Sequence, residues 1–313
     1  MQKLHERGIN GKGATIGIID GCFNSENAEF DGRVKKHIVF EKINGVISCR
    51  ELRGNDDDSH HGKTTASLVA GRECGVAPKA EMYLFGIGEG TPWNEAKEAI
   101  LRYIADNHLK LDIISMSADT ETSKKSQQIL DKLEEEGTVF LDSSKFWKDF
   151  TWGRTNDDNI FLDKLMKSME NQKYDENSRT GKVLKRIPSS ILVPSTGRTS
   201  LQIENKGFKY NGSVCGASFV IPQIAGLFAV ARQVQPEITY DEFIETIRNN
   251  ERLNSEGMMY VDVEEMVSKI VERKIIGSIS DNGIGLGEIN EATGEMRVSL
   301  KGDRGNYSKI YGN

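Results

Sequence analysis

Apolar positions in the first 145 residues follow two alternating periods. A-T-I-G-I-I-D (14–20) is a short, nearly unbroken apolar run ending in an acid, the pattern of a parallel strand buried on both faces. M-Y-L-F-G-I (82–87), D-I-I-S-M-S (112–117) and T-V-F-L-D (138–142) repeat that pattern. Between these runs the apolar spacing becomes three and four. It predicts helices at about 61–71, at 92–108 with Pro92 early in the segment, and at 124–136, where Gly137 stops an amphipathic run. Strand–helix alternation of this kind predicts an α/β fold: a parallel sheet with helices on both faces and active groups at the carboxyl ends of the strands.

The alternation stops near 145. Residues 145–190 are aromatic and polar at first, then highly charged, and are expected to form a divergent surface insertion around one short helix near 158–170. I-L-V-P-S-T (191–196) is expected to resume the sheet, followed by helices at 217–234 and 239–250. The Gly-punctuated stretch beyond 276 predicts hairpin strands. The expected division is therefore a main domain over 1–270 and a small C-terminal β-hairpin extension over 271–313.

Composition narrows the function classes. A chain of 313 residues, 37% hydrophobic and 28% charged, is that of a soluble protein able to bury a large core. Net charge is −6 and no basic run dominates, which argues against a nucleic-acid partner. No segment is expected to span a bilayer, and the N-terminus has no apolar signal region. Cys22, Cys49, Cys74 and Cys215 lack disulfide-framework or zinc spacing; they read as free thiols, and Cys22 and Cys215 as small buried apolar groups. Asp56, Asp57 and Asp58 read as a solvated acidic run, so neither a metal nor a cofactor is expected.

Three residues at element ends change this picture. Asp20 ends the first strand, where a turn-forming acid and an orienting carboxylate both fit. His61 opens a helix, either as a polar residue at its start or as a general base. Ser218 lies at the start of an apolar helix with Pro222 expected on its first turn; its hydroxyl suits either an N-cap or a nucleophile. Together they are the residue types of a Ser–His–Asp relay, in one of the known chain orders.

The surrounding residues resemble the subtilases. I-I-D-G (18–21) resembles their aspartate motif D-[ST]-G. H-G-K-T-T-A-S (61–67) looks like H-G-T-H-V-A-G in its first two residues and Ala66. G-V-A-P-K-A (75–80) is similar to G-V-A-P-x-A, I-S-M-S-A-D (114–119) to I-N-M-S-L-G, and G-A-S-F-V-I-P-Q-I-A-G (216–226) to G-T-S-M-A-S-P-H-V-A-G. The resemblance, from about residue 5 to 265, implies a subtilase fold over 1–270. It also implies a serine endopeptidase with Asp20 orienting His61, His61 as base and then acid, and Ser218 as nucleophile. Residues 116–119 would pair with an extended substrate, which makes Ser117, Ala118 and Asp119 the substrate-binding candidates.

The chain departs from the family at four places. The strand that usually ends in the oxyanion-hole asparagine reads T-V-F-L-D-S-S-K, leaving Ser143, Ser144 or a protonated Asp142 as candidate donors beside the Ser218 N–H. Only R-E-C (72–74) separates the histidine helix from G-V-A-P, too short for the family's calcium loop. Nineteen residues precede Asp20, too few for a chaperone-like propeptide; an intracellular member or a mature form is expected, with cytoplasmic location preferred and secretion the other reading. Asp119 stands where the family commonly has glycine. With Asp142 it suggests either a preference for Lys or Arg in the substrate or simply a turn cap.

The expected function is hydrolysis of peptide bonds through an acyl-enzyme, directed at a specific protein or leader peptide. The alternative is a pseudoprotease that binds a partner. A nucleotide-binding α/β domain is disfavoured, because no G-x-G-x-x-G or Walker-type loop follows a strand.

Overall fold

A computed structural model describes residues 1–21, 23–54, 60–153, 190–195, 198–201, 208–211, 216–249, 253, 259–281, 284–285, 289–290, 295–296 and 299–300. After a short helix α1 (Gln2–Glu6), the apolar run of the first motif becomes β1 (Thr15–Asp20). This strand is hydrogen-bonded in parallel to β4 (Glu81–Ile87) and β5 (Ile113–Met116), opposing Asp20 to Gly86 and Ile19 to Met116. β6 (Val139–Asp142) lies parallel beyond β5. On the other side, β2 (Val34–Ile43) is parallel to β4, and β3 (Val46–Glu51) closes that edge antiparallel to β2. The order is β3-β2-β4-β1-β5-β6.

The sheet is covered on both faces, and that is why its central strands are apolar at most positions rather than at alternate ones. Ile16 and Ile18 of β1 join one core with α2 (His60–Ala70), α6 (Ala217–Val234), α7 (Tyr240–Arg248) and α8 (Val263–Asp281). Ile19 faces a second core under α3 (Trp93–Asp106) and α4 (Lys124–Glu135). The helix α6 is long and apolar enough to cross a membrane by length and composition, contrary to the expectation of no such stretch; 67% of it is buried inside the protein, where it serves as the central core helix.

Three other expectations are corrected, and one hairpin that was not expected is present. The β2–β3 hairpin was missed, although Asn44 and Gly45, at φ 50 and 83°, form the left-handed pair that a two-residue hairpin turn requires. The regular structure does not stop at 145: α5 (Ser143–Asp149) and β7 (Phe150–Gly153) follow, with Phe146 and Phe150 fully buried and their rings 5.8 Å apart. Aromatic residues taken for a surface excursion therefore continue the core. β8 (Ile191–Pro194) runs parallel to β7 in a separate two-stranded sheet rather than extending the main one. The helix expected near 158–170 lies outside the described residues. Near the C-terminus α8 runs to Asp281, past the point where hairpin strands were expected to begin; in its first half Met266, Val267 and Ile270 keep helical spacing against the core. Short antiparallel pairs follow: β11 (Ile284–Gly285) with β14 (Ser299–Leu300), and β12 (Ile289–Asn290) with β13 (Glu295–Met296). A second hairpin, β9 (Arg198–Leu201) with β10 (Phe208–Asn211), precedes α6.

Candidate active site

Asp20 ends β1 at the carboxyl edge of the sheet with 1% of its surface exposed. Its Oδ1 accepts the Gly21 N–H at 2.7 Å, and Oδ2 accepts the Thr65 hydroxyl at 2.9 Å. Both oxygens face His61 Nδ1, at 2.8 and 2.9 Å. An ionised carboxylate only accepts, so Nδ1 carries the proton and the neutral ring keeps Nε2 as a base. The hydrogen bond to Asp20 raises the His61 pKa above the ordinary histidine value, opposed by burial and helped by the charge of Asp20. One element supplies both His61 and Thr65, since positions i and i+4 share a helix face.

Ser218 is not the helix cap. The α6 N-cap is Gly216, at φ 146°, a left-side conformation that side chains rarely adopt, and Ser218 is the second helical residue. The Ser218 hydroxyl donates to the Ser117 carbonyl at 3.4 Å, a long contact, while the Ser117 hydroxyl donates to the Ser218 carbonyl at 2.9 Å. Pro222 explains the second bond. It lies in the second turn, not the first as expected, and has no N–H to give the carbonyl four residues back. The Ser218 carbonyl is thereby left for Ser117, which joins the helix start to the end of β5. The ring of Phe219, next along α6, lies 5.6 Å from the His61 ring.

The remaining candidates gather beside this point in different roles. Met116 is paired inside the sheet on both sides, with Ile19 and Asp142, so of the expected segment 116–119 only 117–119 lie beyond the ladder. Asp142 is buried and caps α5, its Oδ1 accepting the Lys145 N–H at 2.8 Å. The expected pair of pocket acids is therefore reduced to the exposed Asp119, whose Oδ1 accepts the Ser144 hydroxyl at 3.2 Å. The Ser143 N–H donates to the Ala118 carbonyl at 3.3 Å. Behind this segment the buried Lys97 ammonium donates to the Thr120 carbonyl and the Thr122 hydroxyl, each at 3.0 Å; burial lowers its pKa against the opposing charge of Asp142.

Sequence reasoning missed Thr65, Lys97 and Glu29. Glu29 is buried, and its Oε1 accepts the Glu73 N–H at 2.8 Å, the Cys74 N–H at 3.3 Å and the Cys74 thiol at 3.3 Å, tying the short loop after α2. Burial, reinforced by that carboxylate, pushes the Cys74 thiol up to about 12. Cys49 is exposed. Cys22, Cys215 and the Asp56–Asp58 run lie outside the described residues. The i+4 spacing of His61 and Thr65 was the one available signal for these three positions.

The fold has counterparts among known proteins. The chain aligns with the crystal structure of a cold adapted subtilisin-like serine proteinase at a TM-score of 0.51 and 17% identity, covering 81% of this chain and 88% of that one, a likeness of fold. It is 30% identical over 87 residues to the subtilisin-like protease PopC of Myxococcus xanthus (strain DK1622), covering 27% of this chain and only 18% of that relative's length. The subtilase family model matches residues 11–197, more than half of the sequence. The chain belongs to the subtilase family of serine proteases.

Proposed function

We propose that the protein is a serine endopeptidase in which Asp20, His61 and Ser218 form the catalytic relay. The observation that carries this reading is the buried Asp20 carboxylate bonded to His61 Nδ1 through both oxygens, which leaves Nε2 as the base in the neutral ring. Ser218 Oγ attacks the scissile carbonyl while Nε2 takes its proton. The imidazolium then gives that proton to the departing amine, and water hydrolyses the acyl-enzyme by the same exchange. The long contact of Ser218 Oγ with the Ser117 carbonyl is readily given up. At the second position of α6 the Ser218 N–H has no intrahelical acceptor, and the helix start favours a developing oxyanion. Ser143 and Ser144 remain the proposed sources of a second donor; Asp142, engaged as the α5 cap, is the poorer candidate.

An extended protein or peptide substrate would lie along 117–119, with Asp119 favouring Lys or Arg near the cleavage site. A specific protein or leader peptide is the proposed substrate class. In competition between otherwise identical Lys-P1 and Leu-P1 peptides, the Lys peptide is expected to be cleaved faster; a Leu preference contradicts the assignment of Asp119. A second reading, a pseudoprotease that binds a partner, is favoured by one observation: Val139–Asp142 and Ser143–Asp149 contain no side-chain amide to stabilise an oxyanion. Peptide-library hydrolysis by the wild type and by Ser218→Ala separates them, since only an enzyme gives cleavage products that the variant does not.

A further inference from the structure

We propose that Thr65 is a positioning residue for the relay: its hydroxyl donates to Asp20 Oδ2, fixing the carboxylate that holds His61 and drawing charge away from it. The inference rests on the protease reading above and extends it to a residue outside the three relay positions.

The argument begins with what the Asp20 carboxylate needs. It is 1% exposed, so water does little to hold it, and its two oxygens must be satisfied within the protein. Oδ1 has the Gly21 N–H, supplied by the backbone whatever the side chains are. Oδ2 has the Thr65 hydroxyl, at 2.9 Å. Thr65 is itself buried, at 1% exposure, and its single hydroxyl proton has one other described acceptor, the Gly62 carbonyl at 3.0 Å. A buried carboxylate is the stronger of the two acceptors, because bonds to ionised groups exceed those to neutral ones.

The consequence reaches His61. Every donor to Asp20 spreads its negative charge, and a less basic carboxylate stabilises the imidazolium less. Thr65 therefore restrains the rise in His61 basicity that Asp20 produces, keeping more of the base neutral near pH 7. It also holds the carboxylate against turning about its terminal torsion, which would draw its oxygens away from Nδ1. Among the described residues Asp20 is the charged group acting on His61. β4 opposes Gly86 to Asp20, β5 opposes Met116 to the preceding Ile19, and α6 presents Phe219 to the His61 ring; none of these titrates. The histidine motif of H-G-T-H-V-A-G form carries valine at the position of Thr65, so this donor is a departure of the present chain from that pattern.

The test uses Thr65→Val, which removes the donor at nearly constant shape, and Thr65→Ser, which keeps it. The imidazole titration of His61 is followed by NMR, a simple spectrum in a chain with five histidines, with His61→Gln for assignment. Thr65→Val should move the His61 midpoint to higher pH and Thr65→Ser should return it. In peptide hydrolysis the Val variant should lose about threefold more kcat/KM near pH 6 than near pH 8.5, because the base is protonated sooner. If Thr65→Val does not fold, Thr65→Ala removes the same hydroxyl without a methyl against the carboxylate. A folded Val or Ala variant with an unchanged midpoint, or a Ser variant that behaves like Val, overturns the role. Labelling of the wild type by a fluorophosphonate reports separately on Ser218. A wild type that labels with an unmoved midpoint in Thr65→Val refutes Thr65 alone. A wild type that does not label refutes the protease reading, while the midpoint still decides whether Thr65 governs the His61–Asp20 pair.

Discussion

At the residue scale the site is a set of acceptors and donors whose direction is forced. Asp20 can only accept, so the Nδ1 proton of His61 points at it and the tautomer is set. Replacing Asp20 by Asn offers an amide of the same size that permits the wrong tautomer. We predict a fall of about 10⁴-fold in kcat, with circular dichroism and thermal unfolding showing that the variant remains folded. The raised His61 pKa has two pH consequences of opposite sign. Activity needs the neutral ring and should decline as pH falls through a midpoint above the ordinary value of about 6.5. The stability contributed by the charged pair is present below about 6.5 and is lost as pH rises through the folded-state midpoint. A pH–rate profile whose acid limb lies below the ordinary histidine value contradicts the pairing.

At the element scale, α2 has to end, turn and return to the sheet within ten residues, 71–80. Glu29 makes this possible by accepting two backbone N–H groups and a thiol from Glu73 and Cys74, while Arg33 donates to the Ala70 carbonyl at 2.7 Å. Glu29→Ala leaves those part-buried donors without their acceptor and is expected to cost about 1–3 kcal/mol, measured by chemical denaturation. A loss under about 0.5 kcal/mol, the range of ordinary surface changes, contradicts the bracing role. This device also shows where sequence reading ends. The strands of the sheet centre and the helices of both faces were legible, because burial on two faces writes unbroken apolar runs and amphipathic spacing into the chain. Asp20, His61 and Ser218 were legible as residues at or near element ends, and the structure joins the first two by a hydrogen bond. Glu29 and Lys97 were not: each bonds to backbone far from it in the chain, which leaves no local pattern. The β2 strand was missed because charged residues, Lys35 and Lys36 before and Glu41 and Lys42 after, flank its short apolar centre Ile38, Val39 and Phe40, and α5 and β7 because a short aromatic segment has the composition of a loop until its partners are known.

At the scale of the whole molecule, the proposed chemistry depends on how closely α2 and α6 pack, since one carries His61 and the other Ser218. Gly226 lets α6 lie close to α2 and to the loop after it: a Cβ there would stand 3.0 Å from the Val69 carbonyl of α2 and 2.7 Å from the Cβ of Val76 in that loop. Thr64 and Ser67 of α2 also bond to the Leu201 backbone, tying the same helix to β9. Gly226→Ala should force the two helices apart at a cost of about 1–3 kcal/mol and lower kcat as well as thermal stability. Unchanged stability and activity would show that the contact does not govern the site. The central claim is that Ser218 is an activated nucleophile served by His61 and Asp20. Treatment with a serine-directed fluorophosphonate, followed by mass spectrometry, tests it most directly. The account predicts labelling at Ser218 in the wild type and none in folded Ser218→Ala; a folded wild type that stays unlabelled would contradict it.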